Sequence, residues 1–135
     1  MSEPTVVETS FPVRYAETDS MQIVHHSHYI VYFEEGRSAY ARARGKPYSQ
    51  FEKQGLFLAV TEIYTRHVQP AFYEQLITVR TWIAEIKSRS IKFEYEIIDA
   101  NTKAMITTGW TKHMCIDRNG KITRIPDEWR DWATN

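Results

Sequence analysis

The alternation of hydrophobic and polar positions changes its period once near the start of the chain. Residues 5–15 place apolar or hydroxyl side chains on one side and charged ones on the other, which predicts a strand with two unlike faces. From Ser27 to Ala43, apolar and small residues recur at steps of three and four. This spacing predicts an amphipathic helix at 27–43, capped by Ser27 or a neighbour and stopped by the run 45–47.

The remainder of the chain has the pattern of strands. Alternation is clearest at 90–99, where Ile91, Phe93, Tyr95 and Ile97 are separated by charged residues. A short segment before these strands has room for one more helical turn, and a short helix capped by Asp127 is predicted at 126–132. The predicted strands are 58–68, 75–87, 90–99 and 104–116, with turns at 99–103 and 117–121.

One helix among five strands predicts an α+β fold. A single helix cannot cover both faces of such an antiparallel sheet, so we expect the sheet to wrap around the helix and its other face or edge to seek a partner. The chain should therefore form a homo-oligomer. Apolar area for such contacts, or equally for the core, is offered by Trp82, Trp110, Trp129 and Trp132.

Composition narrows the class of protein. A length of 135 residues fits one domain over 1–135, and 17 basic side chains balance 17 acidic ones, which argues against a general nucleic-acid binder. The single cysteine, Cys115, excludes an intrachain disulfide and is most simply a small buried hydrophobe. The first residues have no secretion-signal pattern and no apolar stretch reaches membrane-spanning length, so we expect a cytoplasmic protein without a membrane span.

The segment from Tyr15 to Tyr29 carries candidate chemistry. It places Asp19, His25 and His26 just before the predicted helix. Unpaired N–H groups and the positive end of the helix dipole stabilise negative charge there, so amides near His26 could hold a developing oxyanion. Asp19 could then attack a carbonyl carbon or deprotonate a water, although a lone Asp before a helix is more often a cap or turn residue.

The same segment resembles a known family. The run R-Y-x-E-T-D-x-M-x-x-V-H-H-S-x-Y at 14–29, followed by Y-F-E-E-G-R at 32–37, is similar to the signature of 4-hydroxybenzoyl-CoA thioesterase-like enzymes, which include the bacterial acyl-CoA thioesterases associated with the Tol-Pal system. Residues 68–71, 88–95 and 117–120 also fit. The resemblance implies a hotdog fold, assembly into dimers or tetramers, and hydrolysis of an acyl-CoA to free acid and CoA. No cofactor is expected beyond the coenzyme A of the substrate.

The resemblance also implies roles for particular residues. The catalytic aspartate of the family falls on Asp19, and the residue whose backbone N–H polarises the thioester carbonyl falls on His26, whose imidazole either assists or only orients and packs. A family tyrosine corresponds to Tyr15, which could instead be core. Lys87 and Arg89 lie where the family places contacts to the phosphates of coenzyme A, although isolated residues of this kind are usually a solvated turn.

Three further features qualify this interpretation. The family usually has glycine where this chain has Gln22, so we expect an altered turn or a narrower pocket. Glu34 is a reserve candidate for the base, because some related thioesterases use a helix glutamate. The cluster His25, His26 and His28 invites a metal site, but adjacent rings normally diverge and no familiar ligand spacing accompanies them, so no metal is predicted.

Two rival functions remain open at the level of sequence. A non-catalytic acyl-CoA-binding module on the same fold is favoured by Gln22. A hotdog hydratase acting on enoyl thioesters would also use an Asp and a His, but its usual motif does not match this chain.

Overall fold

A computed structural model of the chain describes residues 4–45 and 48–131. The four later strands agree with the predicted ranges to within one residue at either end, and the helical turn expected before them is present. The elements are β1 (Val7–Pro12), a 3-10 turn (Tyr15–Glu17), α1 (His26–Ala43), α2 (Tyr48–Lys53), β2 (Phe57–His67), β3 (Leu76–Ile86), β4 (Ser90–Asp99), β5 (Met105–Ile116) and α3 (Asp127–Arg130).

All five strands belong to one antiparallel sheet, in the order β1-β3-β4-β5-β2. Helix α1 packs against one face of this sheet, as the hotdog prediction requires. Strands β1 and β2 lie at the two edges, so within the described part of the chain each pairs along one side alone. No helix among the described residues is long and apolar enough to cross a membrane.

Aromatic rings form the contact between α1 and the sheet. Phe33 stacks on Tyr95 with ring centroids 4.3 Å apart, and Tyr40 meets Phe93 edge-on at 5.8 Å. Each fully buried ring of this size stabilises the fold by about 1.5–3 kcal/mol. Gly36 lets the helix approach closely, because a Cβ there would overlap side-chain atoms of β3.

The first strand is shorter than predicted, and the interpretation of Tyr15 as core is wrong. Strand β1 ends at Pro12, and the chain turns into the 3-10 segment as the Arg14 amide donates to Glu17 Oε1 (2.8 Å). Tyr15 is 67% exposed as a result. The alternation of side chains continues through 13–15 in the sequence, but in the structure these residues lead from the end of β1 into the 3-10 segment and are not part of the strand.

Two helix caps differ from prediction. Helix α1 begins at His26 with His25 as its N-cap, and α3 begins at Asp127 with Pro126 as its N-cap. Asp127 instead pairs through its side chain with Arg130. The predicted stop residues at 46–47 and Trp132 lie outside the described residues.

The other tryptophans divide between the core and the outer face of the sheet. Trp129 is buried against Phe51, with ring centroids 4.9 Å apart. Trp82 and Trp110 are half-buried on the face opposite α1, where the Trp82 indole N–H donates to Glu94 (3.0 Å). Trp129 is therefore unavailable as a contact surface.

Candidate active site

Asp19 sits in a tight turn between the 3-10 segment and α1. Its Oδ1 accepts a hydrogen bond from the Met21 amide (2.8 Å), and its backbone carbonyl accepts one from the Gln22 amide (2.9 Å). The side chain is half-buried, and Oδ2 makes no hydrogen bond with any described residue. Asp19 is thus a turn residue that also presents a carboxylate oxygen free to act.

Gln22 adopts the left-handed conformation that a glycine would favour. Its φ is 63°, and its carbonyl accepts the Tyr73 amide (3.1 Å). The turn therefore forms with a non-glycine residue, at a cost of about 1–2 kcal/mol in backbone strain. The Gln22 side chain is exposed and is not among the residues that line the Asp19 cavity, and an altered turn relative to the family stays a prediction.

The two histidines at the start of α1 face the same region. His25 Nδ1 accepts the Ser27 amide (3.3 Å), so this nitrogen is unprotonated and a neutral His25 carries its proton on Nε2. The His25 and His26 rings lie 4.1 Å apart. Because helix N–H groups point toward the N-terminal end, the first amides of α1 are directed to the region around these rings.

A cavity of about 420 Å³ joins the Asp19 turn to the helix start. Tyr29 and His67 contribute to it although neither was singled out from sequence; their rings are 4.9 Å apart, and the Tyr29 hydroxyl accepts the Ala71 amide (3.3 Å). Burial raises the pKa of the Tyr29 phenol, so it stays neutral. The cavity is lined by Asp19, Ile23, Val24, His25, His26, Tyr29, His67, Val68, Gln69 and Pro70.

These two residues differ in how far sequence could reveal them. Tyr29 lies on the apolar stripe of the helix, so its spacing predicted a core role, and its position one turn after His26 was the available signal. His67 reaches the cavity only because β2 ends beside α1, a contact between residues 38 positions apart. No local pattern around His67 carries that information.

Comparison with known proteins gives this arrangement a family. Residues 13–133 match the thioesterase-like superfamily. The chain belongs to that superfamily. It is 32% identical over 111 residues to the acyl-CoA thioesterase YbgC of Haemophilus influenzae, covering 80% of each protein, and 32% identical over 130 residues to YneP of Bacillus subtilis, covering 96% of this chain and 94% of the relative.

A solved structure supports the same assignment. The DHNA-CoA thioesterase from Staphylococcus aureus superposes with a TM-score of 0.90 at 29% identity, covering 96% of this chain and 89% of that one. The resemblance to hotdog thioesterases is therefore confirmed both in sequence and in fold.

Tyr15 does not lie in the cavity that Asp19 and His26 line. It lies at the start of the 3-10 turn, and its ring packs edge-on against Tyr73 at 5.6 Å. The structure thus brings Asp19 and His26 together and leaves Tyr15 on the surface nearby.

Lys87 and Arg89 lie at the opposite end of the sheet from Asp19. Both are exposed in the turn between β3 and β4, and Lys87 pairs with Glu85 (3.0 Å). That turn is held to the far end of β5, since Arg89 O accepts the Cys115 amide (2.9 Å). The Asp19 cavity adjoins the other end, so about 30 Å of strand separates the two sites.

The remaining candidates lie outside the cavity. Glu34 is exposed on α1 and is not a lining residue. His28 is not a lining residue and its Nδ1 is buried. Among residues 4–45 and 48–131 no three His, Cys, Asp or Glu side chains form a group that could hold a metal ion. Cys115 is fully buried, which raises the pKa of its thiol.

Proposed function

We propose that this protein hydrolyses acyl-CoA thioesters. The observation that carries the proposal is the cavity lined both by Asp19, whose Oδ2 makes no hydrogen bond with a described residue, and by His26, the first residue of α1. Thioester hydrolysis needs a carboxylate oxygen on one side of the carbonyl and a hydrogen-bond donor on the other, and the Asp19 side chain and the His26 amide can supply them. Relatives named as thioesterases for acyl-CoA and DHNA-CoA support coenzyme A as the carrier.

The proposed reaction has two possible first steps at Asp19. As a general base, Asp19 takes a proton from water, whose oxygen bonds to the carbonyl carbon. As a nucleophile, Asp19 bonds to that carbon itself, and water later hydrolyses the resulting anhydride. In both routes the C–S bond breaks, the CoA thiolate leaves and takes up a proton, and the free acid is released.

His26 has two separable roles in this proposal. Its backbone N–H, at the first position of α1, donates to the carbonyl oxygen as negative charge develops there. Its imidazole lines the same cavity and is a second candidate for assisting the reaction. Replacing His26 with Asn removes the ring and keeps the backbone N–H, so the loss of rate measures what the imidazole supplies.

A second copy of the chain would complete the active site. Strand β2 is an 11-residue edge strand, and Phe57, Val60, Ile63 and Tyr64 on it are between 38 and 46% exposed. An edge of this length and apolar character favours pairing with another strand. Two-fold symmetry requires β2 to pair with its own copy antiparallel, which gives a homodimer with one continuous sheet.

This pairing would bring the two distant ends of the sheet together across the dimer. An antiparallel partner places its Phe57 end beside the His67 end of the first copy. Lys87 of the partner subunit and Arg89 of the partner subunit would then lie on the side of the Asp19 cavity, where they could bind the phosphates of coenzyme A. Further pairing of dimers into tetramers stays a prediction.

Replacement of Asp19 tests the catalytic assignment directly. Asn keeps an oxygen for the Met21 amide but cannot act as nucleophile or base, so kcat should fall by about 10³-fold or more while the fold and CoA binding persist. Free thiol released from a panel of acyl-CoAs measures turnover. Unchanged turnover in Asp19→Asn would exclude the role.

A matched aspartate controls for the loss of a turn. Asp117 Oδ1 accepts the Asn119 amide at 2.9 Å in the same two-residue pattern, at a turn away from the cavity. Asp117→Asn should retain wild-type turnover. Binding of acyl-CoA without thiol release would instead identify a non-catalytic binding module, and water addition to a crotonyl thioester would identify a hydratase.

A further inference from the structure

Glu17 is a buried carboxylate beside the catalytic turn. It is 4% exposed and is the only carboxylate among the buried residues in the described part of the chain. Oε1 accepts the Arg14 amide and the Tyr32 hydroxyl, each at 2.8 Å, and Oε2 accepts Arg14 Nε (3.1 Å) and Nη2 (2.9 Å). Four donors on two oxygens make this a built site rather than a chance burial.

These hydrogen bonds keep Glu17 ionised. Burial by itself would raise the pKa of Glu17, but the hydrogen bonds from Arg14 and Tyr32 outweigh burial, so the pKa is lowered. Burial, and after it the hydrogen bond to the same carboxylate, raises the pKa of Tyr32, whose phenol remains a donor. A buried charge with all its partners in place holds those partners in one geometry, and its removal leaves them unpaired.

The contacts of Glu17 fix both ends of the segment that carries Asp19. Its side chain ties the end of β1 to Tyr32, in the second turn of α1. Its backbone carbonyl accepts the His25 amide (2.9 Å), directly before the first residue of the helix. Between these points a β-bridge pairs Thr18 with Val24 and closes the loop. Inside the loop the Asp19 amide donates a hydrogen bond to the Ile23 carbonyl (2.9 Å).

We infer that Glu17 is a positioning residue, which sets the distance between the Asp19 carboxylate and the amides at the start of α1. Glu17 does not line the Asp19 cavity; its side chain faces a separate cavity of about 270 Å³ with Arg14 and Tyr32. It therefore acts through the loop and not on the substrate. The inference rests on the proposed function, because it is the thioester chemistry that makes this distance matter.

Glu17→Gln tests the role with a nearly isosteric change. The variant loses the ionic contact to Arg14, and the loop around Asp19 loosens. A displacement of about 1 Å costs up to about 100-fold in rate, so kcat should fall about 10- to 100-fold while KM stays within about twofold. Glu52→Gln, the same change at an exposed glutamate of α2, should leave both constants at wild-type values.

A second variant covers the case in which Glu17→Gln does not fold. Tyr32→Phe removes a single hydrogen bond to Glu17 and keeps the ring in the core. It should reduce kcat in the same direction by a smaller factor, again with little change in KM. A KM that rises as kcat stays constant, in either variant, would overturn the inference.

Two measurements separate this inference from the proposed function. In an Asp19→Asn background, Glu17→Gln should leave the residual rate unchanged within about twofold, because a positioning residue has nothing left to position. Hydrogen exchange should speed up at the amides of Asp19 and His25 but not in β4. If Asp19→Asn itself retains full activity the proposed function fails, whereas a full additional loss in the double variant overturns only the role of Glu17.

Discussion

At the scale of single residues, the turn that carries Asp19 depends on two side chains with different tasks. Asp19 offers one oxygen to the turn and the other to the cavity. Gln22 takes the strained position that closes the turn, with a φ of 63°. The motif around Asp19 was readable in sequence because it consists of specific side chains at fixed spacing, whereas the φ of Gln22 follows from the hydrogen bonds of the folded loop.

Replacing Gln22 with glycine tests that strain. Gly relieves the left-handed conformation but adds freedom to the unfolded chain, so the free energy of unfolding should stay within about 1 kcal/mol of wild type. Gln22→Val, with a branched Cβ at the same φ, should lose about 1–2 kcal/mol and some activity. Urea denaturation measures both, and equal stability of Gly and Val variants would contradict a strained turn.

At the scale of elements, a buried polar chain joins α1 to the sheet. An Arg37 guanidinium N–H donates to His113 Nδ1 (3.0 Å), His113 Nε2 donates to Thr111 Oγ1 (2.7 Å), and Thr111 shares a hydrogen bond with Tyr95 Oη (2.6 Å). Arg has donors only, so the Nδ1 acceptor fixes the histidine tautomer. The sequence placed these residues in three elements, but their alignment depends on how α1 lies across β4 and β5.

This chain of contacts predicts a loss of stability in mild acid. Burial, together with the charge of Arg37, lowers the pKa of His113 to about 3. The unfolded chain binds a proton near pH 6.5 while the folded chain does not, so this stability is present above pH 6.5 and is lost as pH falls toward 3. The slope is up to about 1.4 kcal/mol per pH unit.

Urea denaturation at pH 7.5 and pH 5 measures this effect. Wild type should lose about 2 kcal/mol between the two pH values through His113. His113→Gln should be less stable at pH 7.5 but should lose less on acidification, because glutamine takes up no proton. An identical loss in both proteins would show that His113 is not the group responsible.

At the scale of the whole molecule, a single chain holds the proposed parts of the coenzyme A site too far apart. The Asp19 cavity and the Lys87–Arg89 turn lie at opposite ends of the sheet, about 30 Å apart along the strands. An antiparallel pairing of β2 across a two-fold axis would resolve this separation. Activity and assembly are then expected to depend on the same edge strand.

A charge on that edge should disrupt both properties. Ile63 is 44% exposed on β2, near the centre of the proposed interface. The substitution Ile63→Lys would place two lysines, one from each copy, close together there. We expect sedimentation to show monomers. We also expect KM for acyl-CoA to rise at least about tenfold, because a monomer loses the ionic contacts from the partner subunit to the phosphates of coenzyme A. Ile122→Lys, at a 52% exposed isoleucine that lies outside β2 and is bridged to Ile116 at the end of β5, should remain assembled and active. A dimeric, fully active Ile63→Lys protein would contradict pairing through β2.

The sequence by itself determined the elements and the identity of the central catalytic candidate. Periodicity placed β2 to β5 and α1 within a residue or so, since burial on one face imposes a regular pattern, and the motif at 14–29 singled out Asp19 and His26. Cytoplasmic location and independence of cofactors stay predictions. The tertiary structure alone decided that Tyr15 lies on the surface, that His67 reaches the cavity, and that Lys87 lies far from Asp19. Such relations depend on contacts between residues distant in the chain, and local patterns do not encode them.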